Sequence, residues 1–415
     1  MMDYQSVLKE LNEKDKTMSR YERADWDAFL RDSGFRIGFP FVHITGTNGK
    51  GSTGKYLYEI YRAAGNRTAL FHKPYFEKPN EMIVYDGKEI SDDDFARIYE
   101  GKRDLFNRHD LSSFEIATYI AFAYFNEKNP DVAIIETGMG GTTDSTNIPT
   151  AIPLLSIVTT VSLEHTAFLG RTVSEIAENK GGIIKRQSRV LVGQLEESAD
   201  DTLRAIARRK ECEYFVVDEC HHVEMEDPHI RFDYRPYVGL QILSGASYQL
   251  KNAALAIEAS NILKERLPVD EFAVRKGLLN PPLPGRFERH GNIILDAAHN
   301  PEAINALMDS LAEVARGKHV HVLFAAMKDK NIAVEFPRIG RDVADITLTT
   351  FDSPRARDEM DYFLYVGDYA YNPDYRLALN DLIAKYSDDD QLILVTGSLA
   401  FVGEVRRYLL EVLGQ

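Results

Sequence analysis

The chain has 415 residues, 44% of them hydrophobic and 27% charged, and carries a formal net charge of −15. Such a composition belongs to a globular protein with room for two or three well-buried domains. The acidic balance argues against a nucleic-acid partner, which needs clustered Lys and Arg, yet it allows one local basic pocket for a small anion.

The opening "MMDYQSVLKE" has no basic stretch leading into an apolar run, and no uninterrupted apolar run reaches membrane-spanning length. A cytoplasmic protein without membrane attachment is expected. Cys212 and Cys220 have no C-x-x-C companion. Two structural thiols in a reducing compartment are therefore favoured over a zinc site or a disulfide.

In chain order, short apolar runs alternate with helical text, which predicts an α/β fold built on a parallel sheet. Phe41–Thr45 reads as a strand, followed by a glycine-rich loop and a helix over about 52–64 ended by Gly65. "SFEIATYIAFAYFN" (113–126) is apolar nearly all round and predicts a buried helix. "DVAIIE" (131–136) and "IPLLSIV" (152–158) read as central strands. Between 213 and 243, "EYFVVDE", "HIRFDY" and "GLQILSG" look like antiparallel strands, and a helix over 249–265 follows. "NPPLPGRFERHG" (280–291) is a stiff, extended connector. Beyond it "NIILD", "HVHVLFA", "DITLTT" and "QLILVTG" restart the α/β rhythm. These signals divide the chain into a larger domain over 1–281 and a smaller α/β domain over 282–415.

Four segments carry chemistry. The first is "GTNGKGST", comprising Gly46, Thr47, Asn48, Gly49, Lys50, Gly51, Ser52 and Thr53. A strand that delivers a glycine-rich turn into a helix N-terminus offers backbone N–H groups and a positive dipole end to phosphates. Lys50 adds a point charge, and a hydroxyl from Ser52 or Thr53 reaches a magnesium ion. The second is "IIETGMGGTTDSTN" (134–147), in which Glu136 ends a buried strand at the edge where ligands of open α/β sheets collect. Glu136 there either holds magnesium or caps the next turn, and Asp144 and Asn147 also suit turn formation. The third is "SLEHTAFLGRTVSEIAENKGGIIK" (162–185), with His165 after a strand and Lys180 at a helix end. A structural histidine and a dipole-favoured lysine explain those two as well as a functional pair does. The fourth is "GRFERHGNIILDAAHNP" (285–301), which puts Arg286 at the connector and Asp296 and His299 after the first strand of the second domain. An arginine at a hinge suits a nucleotide phosphate and an aspartate at a strand end suits a ribose hydroxyl, while Asn300 and Pro301 read as a helix start.

In order along the chain, "HITGTNGKGS", "SSFEIATYIAFAYF", "ETGMGGTTDSTN", "EHTAFLGRTVSEIAENKGGIIK", "YQLKNAALA", "PGRFE", "DAAHNP", "AAMKDKN", "TTFDSPRA" and "VTGSLAFVGEVR" resemble the folylpolyglutamate synthase/dihydrofolate synthase family of the Mur ligase superfamily. The resemblance implies a P-loop-like ATPase domain with a mainly parallel sheet, followed by a smaller Rossmann-like domain. It also implies ATP-dependent addition of L-glutamate to a folate carboxylate through an acyl phosphate, with one or two Mg2+ ions; a monomer is expected. Dihydrofolate synthase or bifunctional activity is the neighbouring alternative. A diverged enzyme or binding protein for a non-folate carboxylate is a further one.

Carried over by position, Glu136, His165 and Ser52 resemble metal ligands, joined by Lys180 if it is carbamylated. Asn252, Arg286, Asp296 and His299 resemble ATP contacts. Lys50, His165 and Lys180 resemble the catalytic group. Ser112, Ser113, Phe114, Glu115, Thr143, Asp144 and Ser145 fall where the pterin-bearing substrate binds, with Lys73 beside them. Two departures stand out. Lys73-Pro74-Tyr75-Phe76 replaces the family's S-P-H-L, so a protonated amine stands where a serine ligand is usual. Thr142-Thr143 replaces Arg-Leu in G-G-R-L-D-A-T-N, which removes a basic side chain near the substrate.

Overall fold

Eight strands form the larger sheet of this protein, here described from a computed structural model covering residues 2–17, 23–226, 228–330, 332–365, 369–412 and 414. They are β1 (Phe41–Thr45), β2 (Thr68–Phe71), β3 (Ile83–Tyr85), β4 (Lys88–Glu89), β5 (Val132–Glu136), β6 (Leu155–Val158), β7 (Arg189–Val192) and β8 (Glu213–Val216). Their order is β4-β3-β2-β5-β1-β6-β7-β8. All pairings from β2 to β8 are parallel, and only the β2–β3–β4 edge is antiparallel. Every residue of β1, β5 and β6 is buried, which is why these strands read as continuous apolar runs rather than as alternation.

One face of this sheet is covered by an aromatic cluster that includes Trp26, Phe29, Phe95, Tyr99, Phe106 and Phe122. The all-round apolar helix Ser113–Lys128 lies within this cluster, as its sequence predicts. It starts with a reciprocal cap between Ser112 and Glu115 and ends at Asn129, whose φ is 47°. Each fully buried Phe here contributes about 1.5–3 kcal/mol through removal of its ring from water. The helix Lys50–Ala63 packs against helix Glu271–Leu278 so closely that a Cβ on Gly277 would lie 2.6 Å from the Ile60 backbone.

A three-stranded antiparallel sheet follows, made of β9 (His221–Glu226), β10 (His229–Tyr234) and β11 (Tyr237–Ile242), in the order β11-β10-β9. The smaller α/β sheet contains β12 (Glu288–His290), β13 (Ile293–Leu295), β14 (His319–Phe324), β15 (Asp345–Thr349), β16 (Ala370–Asn372) and β17 (Gln391–Thr396). Its order is β12-β13-β17-β14-β15-β16, with only β12 antiparallel. The chain groups into two compact units, Met1–Glu219 with Asn252–Asn280, and Cys220–Lys251 with Pro281–Gln415. The 280/281 junction falls in the proline-rich connector, while Cys220–Lys251 groups with the second unit. Among the described residues no helix is long and apolar enough to cross a membrane.

Two local expectations are corrected, and one strand went unread. "EYFV" is no part of an antiparallel sheet but the parallel edge strand β8, pairing Arg189↔Glu213 through Val192↔Val216. β9, with all six residues exposed, has no apolar alternation to announce it. The helix after the glycine loop begins at Lys50, not near 52, because left-handed Gly49 ends the loop two residues earlier.

Candidate active site

β1 is flanked by β5 on one side and β6 on the other. The chain turns to one side for β2 and β5 and to the other for β6, so the carboxyl end of β1 is a topological switch point, where open α/β sheets leave a crevice. The glycine loop begins there. Gly46 has φ 152° and Gly49 φ 83°. A Cβ would fall 1.9 Å from Thr159 Oγ1 at the first and 2.2 Å from Asn252 Oδ1 at the second. Glycine is therefore required at both places, for backbone angle and for room.

The loop is held from the β6 side. Thr47 N–H donates to Thr160 O at 2.8 Å, Asn48 N–H to Thr160 Oγ1 at 3.0 Å, and Ser162 N–H to Thr47 Oγ1 at 3.0 Å. Lys50 Nζ donates to the carbonyls of Gly46 at 2.8 Å and Thr47 at 3.0 Å. The first amides of helix Lys50–Ala63 lack intrahelical acceptors by construction and point out of its N-terminus. Ser52 and Thr53 are buried in that first turn, and Thr53 Oγ1 has no hydrogen-bond partner.

Glu136 ends β5 opposite Ile44 and is 5% exposed. Its Oε2 accepts the Lys73 N–H at 3.1 Å. Lys73 Nζ stands 4.0 Å from the centre of the Phe114 ring, a cation–π contact. The loop after Glu136 then crosses to the third segment, where Gly141 N–H donates to Asn179 Oδ1 at 3.1 Å and Thr142 N–H to Asn179 O at 2.9 Å.

Lys180 ends helix Val173–Lys180 and is fully buried, donating to Glu164 Oε1 at 2.8 Å. Burial pushes the Glu164 carboxyl up, but Lys180, Lys50 and His165 together outweigh it and hold the group below its usual range. Glu164 is thus the anion around which Lys50, His165 and Lys180 gather, and it is absent from the residues singled out in the sequence. It directly precedes His165 in the same quoted segment, and that adjacency was the only signal. His165 caps helix Thr166–Leu169 with φ 45°.

At the start of helix Ser113–Lys128, Ser112 and Glu115 spend polar atoms on each other. Ser112 Oγ donates to Glu115 Oε2 at 2.7 Å and Ser112 N–H to the same oxygen at 2.8 Å. Glu115 Oε1 is buried with no hydrogen-bond partner, and burial raises this carboxyl's pKa against the Ser112 bonds. Ser113 opens the helix and Phe114 lies against Gly138, where a Cβ would meet its ring at 2.4 Å. Asp144 accepts from Met139 N–H at 2.8 Å and Thr146 N–H at 3.0 Å, Ser145 Oγ meets Thr118 Oγ1 at 2.9 Å, and Thr143 is exposed.

Sequence reasoning missed two cations beside this loop. Arg23 donates to the carbonyls of Thr143, Asp144 and Asn147, and Lys185 Nζ donates to Asn147 Oδ1 at 2.6 Å. Burial, then the charges of Lys210 and Arg23, push the Lys185 amine down to about 8. Beneath the loop, burial and then Lys185 push His43 down to about 3, so it is neutral while meeting Thr146 Oγ1 at 2.9 Å.

In the second unit, Asp296 is buried and accepts from Tyr248 Oη at 2.6 Å, Phe287 N–H at 2.9 Å and Ala298 N–H at 2.9 Å. Burial raises its pKa, opposed by the Tyr248 bond and by the Arg286 charge. His299 Nδ1 meets Ala297 O at 2.8 Å, and Asn300 caps helix Pro301–Val314. Arg286, Asp296 and His299 thus share one end of β13.

The donor chemistry fits one magnesium ion. Glu136 offers a carboxylate and Ser52 a hydroxyl, both oxygen donors of the kind that ion takes alongside phosphate and water. Among the described residues no group of three His, Cys, Asp or Glu side chains is arranged to hold a metal, so phosphate and water oxygens would complete the shell. Lys180 fits a second ion less directly, because an ammonium donating to Glu164 cannot ligate. As a carbamate it would face the Glu164 carboxylate, a like-charge contact that a divalent ion would relieve.

The fold is that of a Mur-type ligase. The Mur ligase middle domain matches residues 44–259 and the Mur ligase glutamate ligase domain matches residues 285–399. The chain is 31% identical to the folylpolyglutamate synthase of Lacticaseibacillus casei over 89% of its length and 90% of that protein. It is 30% identical to the dihydrofolate synthase/folylpolyglutamate synthase of Bacillus subtilis over 90% of this chain and 92% of that one. A folylpolyglutamate synthase of Mycobacterium tuberculosis complexed with ADP superposes with a TM-score of 0.88 at 25% identity, covering 97% of each chain. An FPGS–AMPPCP–folate complex superposes with a TM-score of 0.85 at 26% identity, covering 99% of this chain and 100% of that one. The chain belongs to the folylpolyglutamate synthase/dihydrofolate synthase family.

Proposed function

We propose that this chain is an ATP-dependent ligase that adds L-glutamate to the carboxylate of a folate, forming an amide through an acyl phosphate. The observation that carries the reading is the glycine cradle at the carboxyl end of β1, with Lys50 in it and Glu136 on the adjacent strand. The relatives' names supply the acceptor class.

In the first step an oxygen of the folate carboxylate attacks the γ-phosphorus of ATP, and the bond to the β-phosphate oxygen breaks, releasing ADP. In the second the glutamate nitrogen attacks the acyl carbon, phosphate leaves with the bonding pair, and the nitrogen loses a proton. The residues Gly46, Thr47, Asn48, Gly49, Gly51, Ser52 and Thr53 cradle the phosphates. Lys50 exchanges its carbonyl partners for phosphate oxygens and neutralises charge that grows in transfer. Magnesium bound at Glu136 and Ser52 would supply further charge neutralisation, and His165 with a carbamylated Lys180 would hold a second ion.

Asn252 abuts the cradle, and nucleotide contacts from Arg286, Asp296 and His299 belong to the same proposal. Lys73, Ser112, Ser113, Phe114, Glu115, Thr143, Asp144 and Ser145 line the acceptor side. A cytoplasmic monomer is the working form. ADP release measured with and without glutamate and a reduced folate tests the reading. Release must depend on both, and an equal rate in their absence refutes a ligase. Comparing dihydropteroate with tetrahydrofolate and its diglutamate then separates synthase from polyglutamate activity.

A further inference from the structure

The segment 143–147 carries acceptor residues but has no regular secondary structure, so something must fix its shape. Arg23, the first residue of helix Arg23–Ser33, faces three of its carbonyls. One guanidinium nitrogen donates to Asp144 O and Thr143 O, and the other to Asn147 O at 2.8 Å, while Nε donates to Asp27 Oδ1 at 2.9 Å. Only a planar fork reaches several carbonyls at once with fixed angles. The side chain is 18% exposed, so water competes little for these bonds.

From this juxtaposition we infer that Arg23 is a positioning residue for the acceptor. It locks 143–147 in one shape, and so sets acceptor affinity without touching the nucleotide. The helix that supplies it precedes the matched Mur ligase middle domain, which begins at residue 44. The inference rests on the folate-ligase reading above.

The test uses the full chain with Arg23→Ala and Arg23→Lys. Steady-state ligation is measured against reduced-folate concentration, and binding of a non-hydrolysable ATP analogue is measured separately. Loss of charge-assisted bonds of this kind raises the acceptor KM by about tenfold or more, with kcat and the analogue Kd within about twofold. Lysine, with a single prong, restores only part of the loss, whereas added guanidinium ion lowers the KM of Arg23→Ala but not of the wild type.

An acceptor KM unchanged in Arg23→Ala overturns the role. So does a rise matched by equal weakening of analogue binding and a fall in Tm, without guanidinium rescue, because that pattern marks a general loss of fold. A wild-type chain that ligates no folate overturns the ligase reading and this inference together. A wild type that ligates normally beside an unaffected Arg23→Ala removes only the inference.

Discussion

Replacing Gly49 by alanine separates two costs that the loop imposes. At φ 83° an L-residue pays for left-handed backbone, about 1–2 kcal/mol. The stiffer unfolded chain returns about 0.4–1 kcal/mol of that. The new methyl would lie 2.2 Å from Asn252 Oδ1, and forcing the two apart adds about 1–3 kcal/mol, as overpacking does elsewhere. Gly65 is the matched control, since its φ is 85° and a Cβ there meets nothing within 4 Å. Gly65→Ala should therefore lose about 0.5–1.5 kcal/mol and Gly49→Ala about 2–4 kcal/mol. Only Gly49→Ala moves the cradle, so only it should weaken binding of an ATP analogue, by about tenfold or more, equivalent to about 1.4 kcal/mol. Thermal unfolding and analogue titration of both variants provide the check. Equal stability losses with unchanged nucleotide affinity would refute the account of the cradle.

Lys50→Ala should reduce turnover by about 100-fold or more while stability falls by only about 1–2 kcal/mol, since the lysine bonds two loop carbonyls and adds its charge to those holding Glu164 ionised; near-normal turnover sinks the phosphate role. Lys73→Ser removes the ammonium that sits over Phe114 and puts an oxygen donor on the residue whose N–H bonds Glu136, so half-maximal activity should need less magnesium; an unchanged or higher requirement in a magnesium titration contradicts this. Lys185 bears on pH. Its amine titrates at about 8 in the fold against 10.5 for an ordinary lysine, so the unfolded chain binds more protons between those values and stability gains from this group as pH rises from about 8 to 10.5. Lys185→Met should flatten that rise in denaturation measured from pH 7.5 to 10, using roughly the window set by linkage; a rise equal to wild type argues that Lys185 is not the source.

The parts of the molecule that announce themselves locally were legible. β1, β5 and β6 are continuous apolar runs because both faces are covered, and the glycines of the cradle mark a backbone that must turn left-handed. What depends on distant partners was not. β8 resembles the antiparallel strands after it in composition, and only its pairing with β7 assigns it to the large sheet. Glu164 is one more acidic residue until Lys180, sixteen positions on, is folded against it. Arg23 likewise gains meaning only from carbonyls more than a hundred residues away. The family resemblance reached the cradle, Glu136 and Lys180 by motif, but it was silent on the groups that hold them.

The grouping of Cys220–Lys251 with the second unit sets how the molecule can be taken apart. The chain leaves the first unit after Glu219, returns at Asn252 and leaves again after Asn280. A fragment beginning at Pro281 would start without Ala246, which belongs to the same buried cluster as Phe287 and Ile294. It would also leave Asp296 without the Tyr248 hydroxyl. A fragment ending at Asn280 would carry a three-stranded sheet cut off from the body it joins. Contiguous sequence and autonomous folding therefore part company here. Dissection of this ligase needs an internal excision that rejoins Glu219 to Asn252, not a truncation.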